Sequence, residues 1–314
     1  MFITIAIVIV IVMAHTEPPN RDQTLTACTF LDKGGTGKTT TTAHLGVALA
    51  RDTEDVLLID LAGKQGDLAK QFGLNEAIEA HDDWPNIATV FQPEWTDIVA
   101  KYRERFDQDP VDELTFETGE GPDLIPAHHG LDSLEVELDN KFTDARKFTR
   151  LETFLEEHIY PRYSVVLVDL PGVANNVAYN GIFATGHVIT PVQAGSFESQ
   201  QADALERDLQ TIRENYDRRV ELTMLVPNMI DTRTKLATRY LQEYAERFGD
   251  ALAPEAIPNS QDISNAQDEG RTIFALGEPS KTAQQALRAY EENARVLRER
   301  VLGEDPVEHP EVEA

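Results

Sequence analysis

Cysteine and basic residues are scarce in this chain of 314 residues. Cys28 is the only cysteine, so no disulfide can form within the chain and no cysteine-rich metal or iron–sulfur site can be built. This favours a reducing compartment, and we expect a cytoplasmic protein. Lysine and arginine together number 28, against 55 acidic residues, which gives a formal net charge of −27.

A charge excess of this size repels itself and destabilises the compact state unless salt screens it. At ~1 M salt the Debye length falls to about 3 Å, so the repulsion largely vanishes. We therefore hypothesise that the protein comes from a high-salt cytoplasm. An ordinary acidic protein is the alternative.

The apolar run at the N-terminus is too short to span a bilayer. Residues 2–13 are almost wholly apolar, but a transmembrane helix needs about 20 such residues. The run has no basic flank and no evident small-residue cleavage site, so it fits a secretory signal poorly. We interpret it as an artefact of start-site choice, with translation beginning at Met13. A membrane-surface anchor is the alternative.

Short apolar runs alternate with segments of helical spacing along the rest of the chain. Such runs are typical of parallel strands that are buried on both faces. The predicted strands are residues 25–31, 56–60, 165–169, 188–191 and 222–226. The predicted helices are residues 40–50, 199–216, 234–248 and 281–302. This alternation predicts an α/β fold with a doubly wound, mostly parallel sheet.

A glycine-rich segment, Lys33-Gly-Gly-Thr-Gly-Lys-Thr-Thr40, lies between the first strand and the first helix. Glycines at such a turn let backbone amides point at phosphates, the following lysine reaches the β- and γ-phosphates, and the next threonine coordinates magnesium. The helix adds its positive N-terminal end. We therefore predict that ATP and Mg²⁺ bind here, with Lys38 on the phosphates and Thr39 on the metal.

Two aspartates stand at the ends of predicted strands. Asp169 ends the run 165–169 and Asp60 ends the run 56–60. An acidic residue at such a position can hold magnesium through water. The candidate metal site is therefore Thr39, Asp60 and Asp169, and a plain aspartate at the end of a strand is the alternative for each of the two acids.

The extra lysine at position 33 makes the glycine-rich segment resemble the deviant Walker A motif of the ParA/MinD family, written K-G-G-x-G-K-[ST]. Residues 165–172 resemble the family's Walker B-like strand. Residues 189–194 and 229–234 resemble segments of its chromosome and plasmid partition branch. The resemblance implies a deviant Walker A P-loop NTPase architecture.

The resemblance covers the chain from about residue 25 to residue 302, and the composition divides the chain further. A single P-loop ATPase domain is expected at residues 24–302, with an acidic surface insertion at about 76–122. An N-terminal extension at 1–23 precedes the domain, and an acidic tail at 303–314 follows it.

The function implied by the resemblance is an ATP- and Mg²⁺-dependent homodimer that partitions or positions a chromosome, plasmid or other cargo. ATP would lie between two subunits, and a ParB-like protein would stimulate its hydrolysis. The candidate catalytic residues are Lys33, Lys38 and Asp60. Lys33 would reach the phosphates bound to the neighbouring subunit. The candidate nucleotide-binding residues are Gly34, Gly35, Thr36, Gly37, Lys38, Thr39 and Thr40, with Pro227, Asn228 and Pro258 expected near the adenine.

One departure from the family pattern concerns hydrolysis. After the second strand the family has D-x-D, and its second aspartate helps to position the attacking water. Ala62 stands at that position here, and a methyl group cannot orient water. We expect either weak hydrolysis or a substitute for the missing carboxylate, Asp67 or Gln65. An ATP-binding scaffold with little or no hydrolysis is therefore an alternative function.

The resemblance leaves two kinds of target open, non-specific DNA in the partition branch and membrane in the MinD branch. Membrane binding needs a basic amphipathic helix near the C-terminus, whereas this chain ends in acidic residues. We therefore expect no membrane binding. The alternative that this expectation disfavours is a MinD-like positioning ATPase that acts at a membrane. The candidate DNA contacts are Arg233, Lys235 and Arg239, near Arg207, Arg213, Arg218 and Arg219 in the sequence, with solvated helix faces as the alternative.

Overall fold

The apolar runs form the strands of one seven-stranded sheet in the computed structural model, which describes residues 21–52, 55–63, 66–81, 84–142 and 144–303. The strands are β1 (Leu25–Thr29), β2 (Val56–Asp60), β3 (Phe116–Glu117), β4 (Asp123–Ile125), β5 (Val165–Asp169), β6 (His187–Val192) and β7 (Glu221–Pro227). Residues 1–20 of the predicted N-terminal extension, residues 304–314 of the predicted tail, and Gln65 lie outside the described residues.

The helices lie between and after the strands. They are α1 (Lys38–Ala50), α2 (Asp67–Gln71), α3 (Asn75–Glu79), α4 (Ile87–Val90), α5 (Trp95–Phe106), α6 (Pro110–Leu114), α7 (Leu134–Lys141), α8 (Arg150–Phe154), α9 (Asn176–Thr185), α10 (Ser196–Tyr216), α11 (Lys235–Phe248), α12 (Gln261–Asp268) and α13 (Lys281–Leu302). A π-helical turn, Leu155–Ile159, continues α8. Short 3₁₀ turns lie at Arg21–Gln23, His129–Ser133, Ala145–Phe148, Gly249–Ala251 and Ile273–Ala275.

The strand order is β3-β4-β2-β5-β1-β6-β7, and every neighbouring pair is parallel except the antiparallel pair of β3 with β4. This order places β2, β5 and β1 side by side. The register pairs Asp60 with Asp169, and Asp169 with Thr29. The carboxyl ends of these three strands therefore meet at one edge of the sheet.

The sheet separates two apolar cores. Leu25 and Ala27 of β1 face one core, to which α1, α12 and α13 contribute, whereas Cys28 faces the other, to which α7, α9 and α10 contribute. Successive side chains of a strand point to opposite faces. Because each face of the sheet has its own core, β1, β2 and β5 are buried on both faces. The predicted doubly wound, mostly parallel sheet is confirmed.

The acidic segment 76–122 forms short helices and the edge strand β3. We expected an acidic surface insertion there, but apolar side chains such as Ile87, Phe91 and Trp95 are fully buried in the same core as residues of α7 and α9. The acidic residues are thus interleaved with core positions. Among the described helices, none combines the length and the apolar character that a bilayer crossing requires.

Candidate functional site

The glycine-rich loop follows β1 and leads directly into α1. Gly37, the residue before α1, has a φ of 89°, a backbone conformation that residues with a side chain rarely adopt. A Cβ at this position would lie 2.3 Å from Nδ2 of Asn228. The loop therefore needs glycine at position 37 for two reasons, its backbone conformation and the close approach of Asn228.

Lys38 is the first residue of α1 and is buried under the loop. Its Nζ donates a hydrogen bond of 2.6 Å to the carbonyl oxygen of Lys33. Burial lowers the pKa of Lys38, and the carboxylates of Asp169 and Asp32 oppose this effect. The ammonium group thus lies within the curve of the loop and lines the adjoining cleft, as a phosphate-binding lysine would.

The candidate metal ligands meet at the carboxyl ends of β2 and β5, beside the start of α1. The Thr39 hydroxyl donates to Oδ2 of Asp169 at 2.6 Å. Asp60, opposite Asp169 in the sheet, accepts hydrogen bonds from the backbone amides of Ala62 at 2.8 Å and Leu68 at 3.3 Å. The structure therefore brings all three predicted metal ligands to one place.

The electrostatics of this place suit a cation. Asp60 and Asp169 are both fully buried, and burial raises the pKa of each carboxyl. The neighbouring carboxylate of Asp60 raises the pKa of Asp169 further. A divalent cation between them would offset both the burial and the mutual repulsion. Because hydroxyl and carboxylate oxygens are the ligands that Mg²⁺ prefers, Thr39, Asp60 and Asp169 fit this metal.

Lys33 does not line the cleft beside its own loop. Its Nζ forms an ion pair with Glu198 and lies 4.6 Å from the ring centroid of Phe197. Both partners belong to the first turn of α10. The side chain is therefore held on the rim of the site, beside an aromatic ring that is about half exposed.

The cleft has a volume of about 550 Å³. Its lining includes the predicted residues Gly34, Gly35, Gly37, Lys38, Thr39 and Thr40, together with Ala62. Three polar residues that sequence reasoning missed also line it: Asp132, Asn175 and Gln267. Only Asn175 gave a local signal, because it follows the Pro171-Gly172 turn and caps α9 by accepting a hydrogen bond from the amide of Ala178 at 2.9 Å.

The residues predicted near the adenine do not line the cleft. Pro227 ends β7, and Pro258 pairs with Ile230 in an isolated bridge. The side-chain Nδ2 of Asn228 donates to the carbonyl oxygen of Thr36 at 2.9 Å, and its Oδ1 accepts from the backbone amide of Met229 at 2.9 Å. Asn228 therefore supports the phosphate loop at Thr36, which is itself buried. Contact of these three residues with adenine stays a prediction.

The candidate DNA contacts lie together at the start of α11. Arg233, Lys235 and Arg239 are all exposed. Arg233 is paired with Asp231 at 2.8 Å, and the Arg239 guanidinium lies 4.6 Å from the ring centroid of Tyr240. Of the other arginines in this group, Arg213 and Arg218 are tied to Glu206 and Glu152.

The site combines three features. A glycine-rich loop joins a parallel strand to a helix, lysine and threonine follow the loop, and aspartates end the strands β2 and β5. These features define a P-loop nucleotide-binding protein. Comparison with known proteins narrows this class. A family model described as "AAA domain" matches residues 26–222. The chromosome partitioning protein ParA of Caulobacter vibrioides is 30% identical over 244 residues, which cover 77% of this chain and 83% of that protein. The chain belongs to the ParA/MinD family of P-loop ATPases.

Solved structures share the fold. The McdA–ATP complex of Cyanothece has a TM-score of 0.71 and 17% identity, covering 91% of this chain and 99% of that one. Cobyrinic acid a,c-diamide synthase of Mycobacterium smegmatis with bound ADP and magnesium has a TM-score of 0.66 and 24% identity, covering 90% of this chain and 97% of that one. These two likenesses concern the fold alone.

Proposed function

We propose that the protein is a ParA-type ATPase switch that binds ATP with Mg²⁺, dimerises in that state and positions a chromosome, plasmid or other cargo in the cytoplasm. The observation that carries the proposal is the contact between Thr39 and Asp169 beside the buried Lys38, at the mouth of a cleft that adjoins the loop. Family membership and the nucleotides named in the McdA and synthase structures support the choice of ATP and magnesium.

The phosphates would be bound by the backbone amides of the loop and by Lys38. Thr39, Asp60 and Asp169 would hold Mg²⁺, which neutralises negative charge on the phosphates when bound. The short Thr39–Asp169 contact keeps the hydroxyl and the carboxylate in place, so the site requires little rearrangement to accept the metal.

The rim of the cleft supports a dimer as the active form. Val173, Phe197 and Met229 are large apolar side chains, each about half exposed, that line the cleft or contact the glycine-rich loop. Exposed apolar groups at a rim are typical of an interface. Lys33 stands on this rim beside Phe197 and outside its own cleft. A second subunit would give Lys33 a phosphate to bind, at the cost of its ion pair with Glu198.

The exposed basic group Arg233, Lys235 and Arg239 supports non-specific DNA as the surface on which the switch acts. A ParB-like protein is the expected activator, because the ParA relative is named for chromosome partitioning. A second candidate function is an ATP-bound scaffold with little turnover, and the observation that favours it is the methyl group of Ala62 in the lining of the cleft.

Light scattering of the purified protein with ATP, ADP or no nucleotide, each with and without Mg²⁺, tests the switch. We expect a dimer only with Mg²⁺ and ATP. Lys38→Ala should abolish nucleotide binding, and Lys33→Ala should keep binding but lose the dimer. Lys101→Ala, an exposed lysine of α5, is the matched control. A dimer that forms equally in all nucleotide states would refute the proposal.

DNA binding is tested on the same samples by co-sedimentation with plasmid over a range of KCl concentrations. Arg233→Ala and Arg239→Ala should each weaken binding and reduce its salt dependence, because each removes one contact with a phosphate. Binding that needs neither ATP nor these arginines would contradict the assignment.

A further inference from the structure

A carboxylate outside the predicted set faces the same cleft as Ala62. We propose that Asp132 is a catalytic residue that orients the water attacking the γ-phosphate of ATP, in the role that Ala62 cannot perform. The proposal rests on the ATPase activity proposed above. Asp132 and Ala62 both line the cleft that also contains Lys38 and Thr39.

The position of Asp132 relative to Ala62 carries the argument. A Cβ built on Gly63 would lie 3.0 Å from Oδ1 of Asp132. The carboxylate therefore packs against the backbone of the residue that directly follows Ala62. An aspartate at position 62 would bring its carboxylate from the loop after β2, whereas Asp132 brings one to this loop from the turn after β4.

The turn that carries Asp132 is firmly anchored. Leu131 and Leu134, on either side of it, are buried in the core. The amide of Leu131 donates to the carbonyl oxygen of His128 at 3.0 Å, and the amide of Gly130 donates to Nδ1 of His128 at 3.0 Å. An anchored turn fixes the position of the Asp132 backbone, and this limits the places that its exposed carboxylate can reach.

Asp132 also differs from the other acids at this end of the sheet in what its oxygens bind. Asp60 accepts two backbone amides, Asp169 accepts the Thr39 hydroxyl, and Asp67 lies 3.3 Å from Nζ of Lys70. Within the part of the chain that the structure describes, Asp132 makes no hydrogen bond or ion pair. Among the described residues, therefore, none competes with water for this exposed carboxylate.

The reaction needs no further reagent. The water oxygen forms a bond to the γ-phosphorus, and the bond from that phosphorus to the β,γ-bridging oxygen breaks with its electron pair on ADP. Asp132 accepts a hydrogen bond from the attacking water, and the proton passes to the released phosphate or to solvent. ATP and water thus give ADP and inorganic phosphate.

Single-turnover hydrolysis of Mg·ATP tests the assignment in Asp132→Asn and Asp132→Ala. Both should lose about 100-fold in rate, the range expected when a positioned acid–base group is removed. Affinity for a non-hydrolysable ATP analogue should stay within about twofold, because water positioning contributes to the transition state and not to ground-state binding. Affinity for ADP with aluminium fluoride, which mimics that transition state, should fall with the rate.

Two further variants sharpen the test. Ala62→Asp in the Asp132→Ala background restores the carboxylate from the other loop and should recover about tenfold or more of the lost rate. Asp97→Asn is the matched control, since Asp97 is an exposed aspartate of α5 and does not line the cleft.

Each other outcome overturns the assignment. An unchanged rate of hydrolysis in Asp132→Ala shows that Asp132 does not orient the water. A rate that falls in Asp67→Asn but not in the Asp132 variants shows the same. An equal loss of affinity for the ATP analogue makes Asp132 a binding residue. A wild-type protein that binds ATP and dimerises but does not hydrolyse it refutes the role of Asp132 and leaves the switch intact. Failure to bind ATP refutes the proposed function itself.

Discussion

Acidification should destabilise the protein through His44, a fully buried residue of α1. One ring nitrogen, Nδ1, lies 2.7 Å from the carbonyl oxygen of Thr40, to which only a protonated nitrogen can donate. The other, Nε2, accepts a hydrogen bond of 3.3 Å from the amide of Ile273. The neutral ring satisfies both contacts. A second proton would replace the acceptor at Nε2 with a donor facing another donor.

The magnitude follows from the pKa values of the two states. Burial lowers the pKa of His44 from 6.5 to about 4 in the folded protein. Below pH 6.5 the unfolded chain therefore binds a proton that the folded protein does not, so stability falls as the pH drops from about 6.5 towards 4. At 1.36 kcal/mol per pH unit, the contribution of His44 lowers the free energy of unfolding by about 2 kcal/mol between pH 7.5 and pH 5.

Urea unfolding of the wild type and of His44→Gln at both pH values isolates this contribution. Glutamine keeps one donor and one acceptor but does not titrate, so other titrating groups cancel in the comparison. We expect the variant to be less stable at pH 7.5, because the ring stacked on Tyr290 at 4.8 Å is lost. The fall in stability on acidification should be about 2 kcal/mol smaller in the variant. An equal fall in both proteins would refute the argument.

Three further predictions concern the site. Gly37→Ala should abolish nucleotide binding and lower the free energy of unfolding by about 1–2 kcal/mol or more. The reasons are the positive φ at position 37 and the close approach of Asn228. Nucleotide titration and urea unfolding measure the two effects. Asp169→Asn should weaken Mg²⁺-dependent ATP binding by about tenfold or more, whereas binding measured in EDTA should change little. Glu198→Gln should lower the ATP concentration needed for dimerisation by about threefold, because a partly exposed ion pair with Lys33 no longer competes.

The strands and the phosphate loop could be predicted because their signals are local. Val56–Asp60 and Val165–Asp169 are continuous apolar runs in the sequence, and both form strands with those bounds. The helix Lys281–Leu302 likewise has the bounds that its spacing predicts. Burial on both faces of a parallel sheet leaves its mark within a few residues, so no knowledge of tertiary contacts was needed.

The surroundings of the loop could not be predicted because they come from distant parts of the chain. Asn228, which we expect near the adenine, also supports the loop through a hydrogen bond to the carbonyl oxygen of Thr36 that the sequence does not indicate. Gln267 and Asp132 reach the cleft from α12 and from the turn after β4. Such residues carry no motif, because a single polar side chain between core positions resembles any surface residue.

This difference explains why nucleotide binding and hydrolysis must be inferred separately. A P-loop binds phosphates largely through its own backbone amides, so one short segment is enough to predict binding. The positioning of an attacking water depends on side chains that several segments supply, and an alanine in one segment, as at position 62, leaves the others in place. A carboxylate on any element that borders the same part of the cleft can perform the same chemistry, and Asp132 meets that condition against the backbone of Gly63. An alanine at position 62 therefore shows which residue does not orient the water, and the rate of hydrolysis in Asp132→Ala decides between the scaffold and an ATPase that uses Asp132.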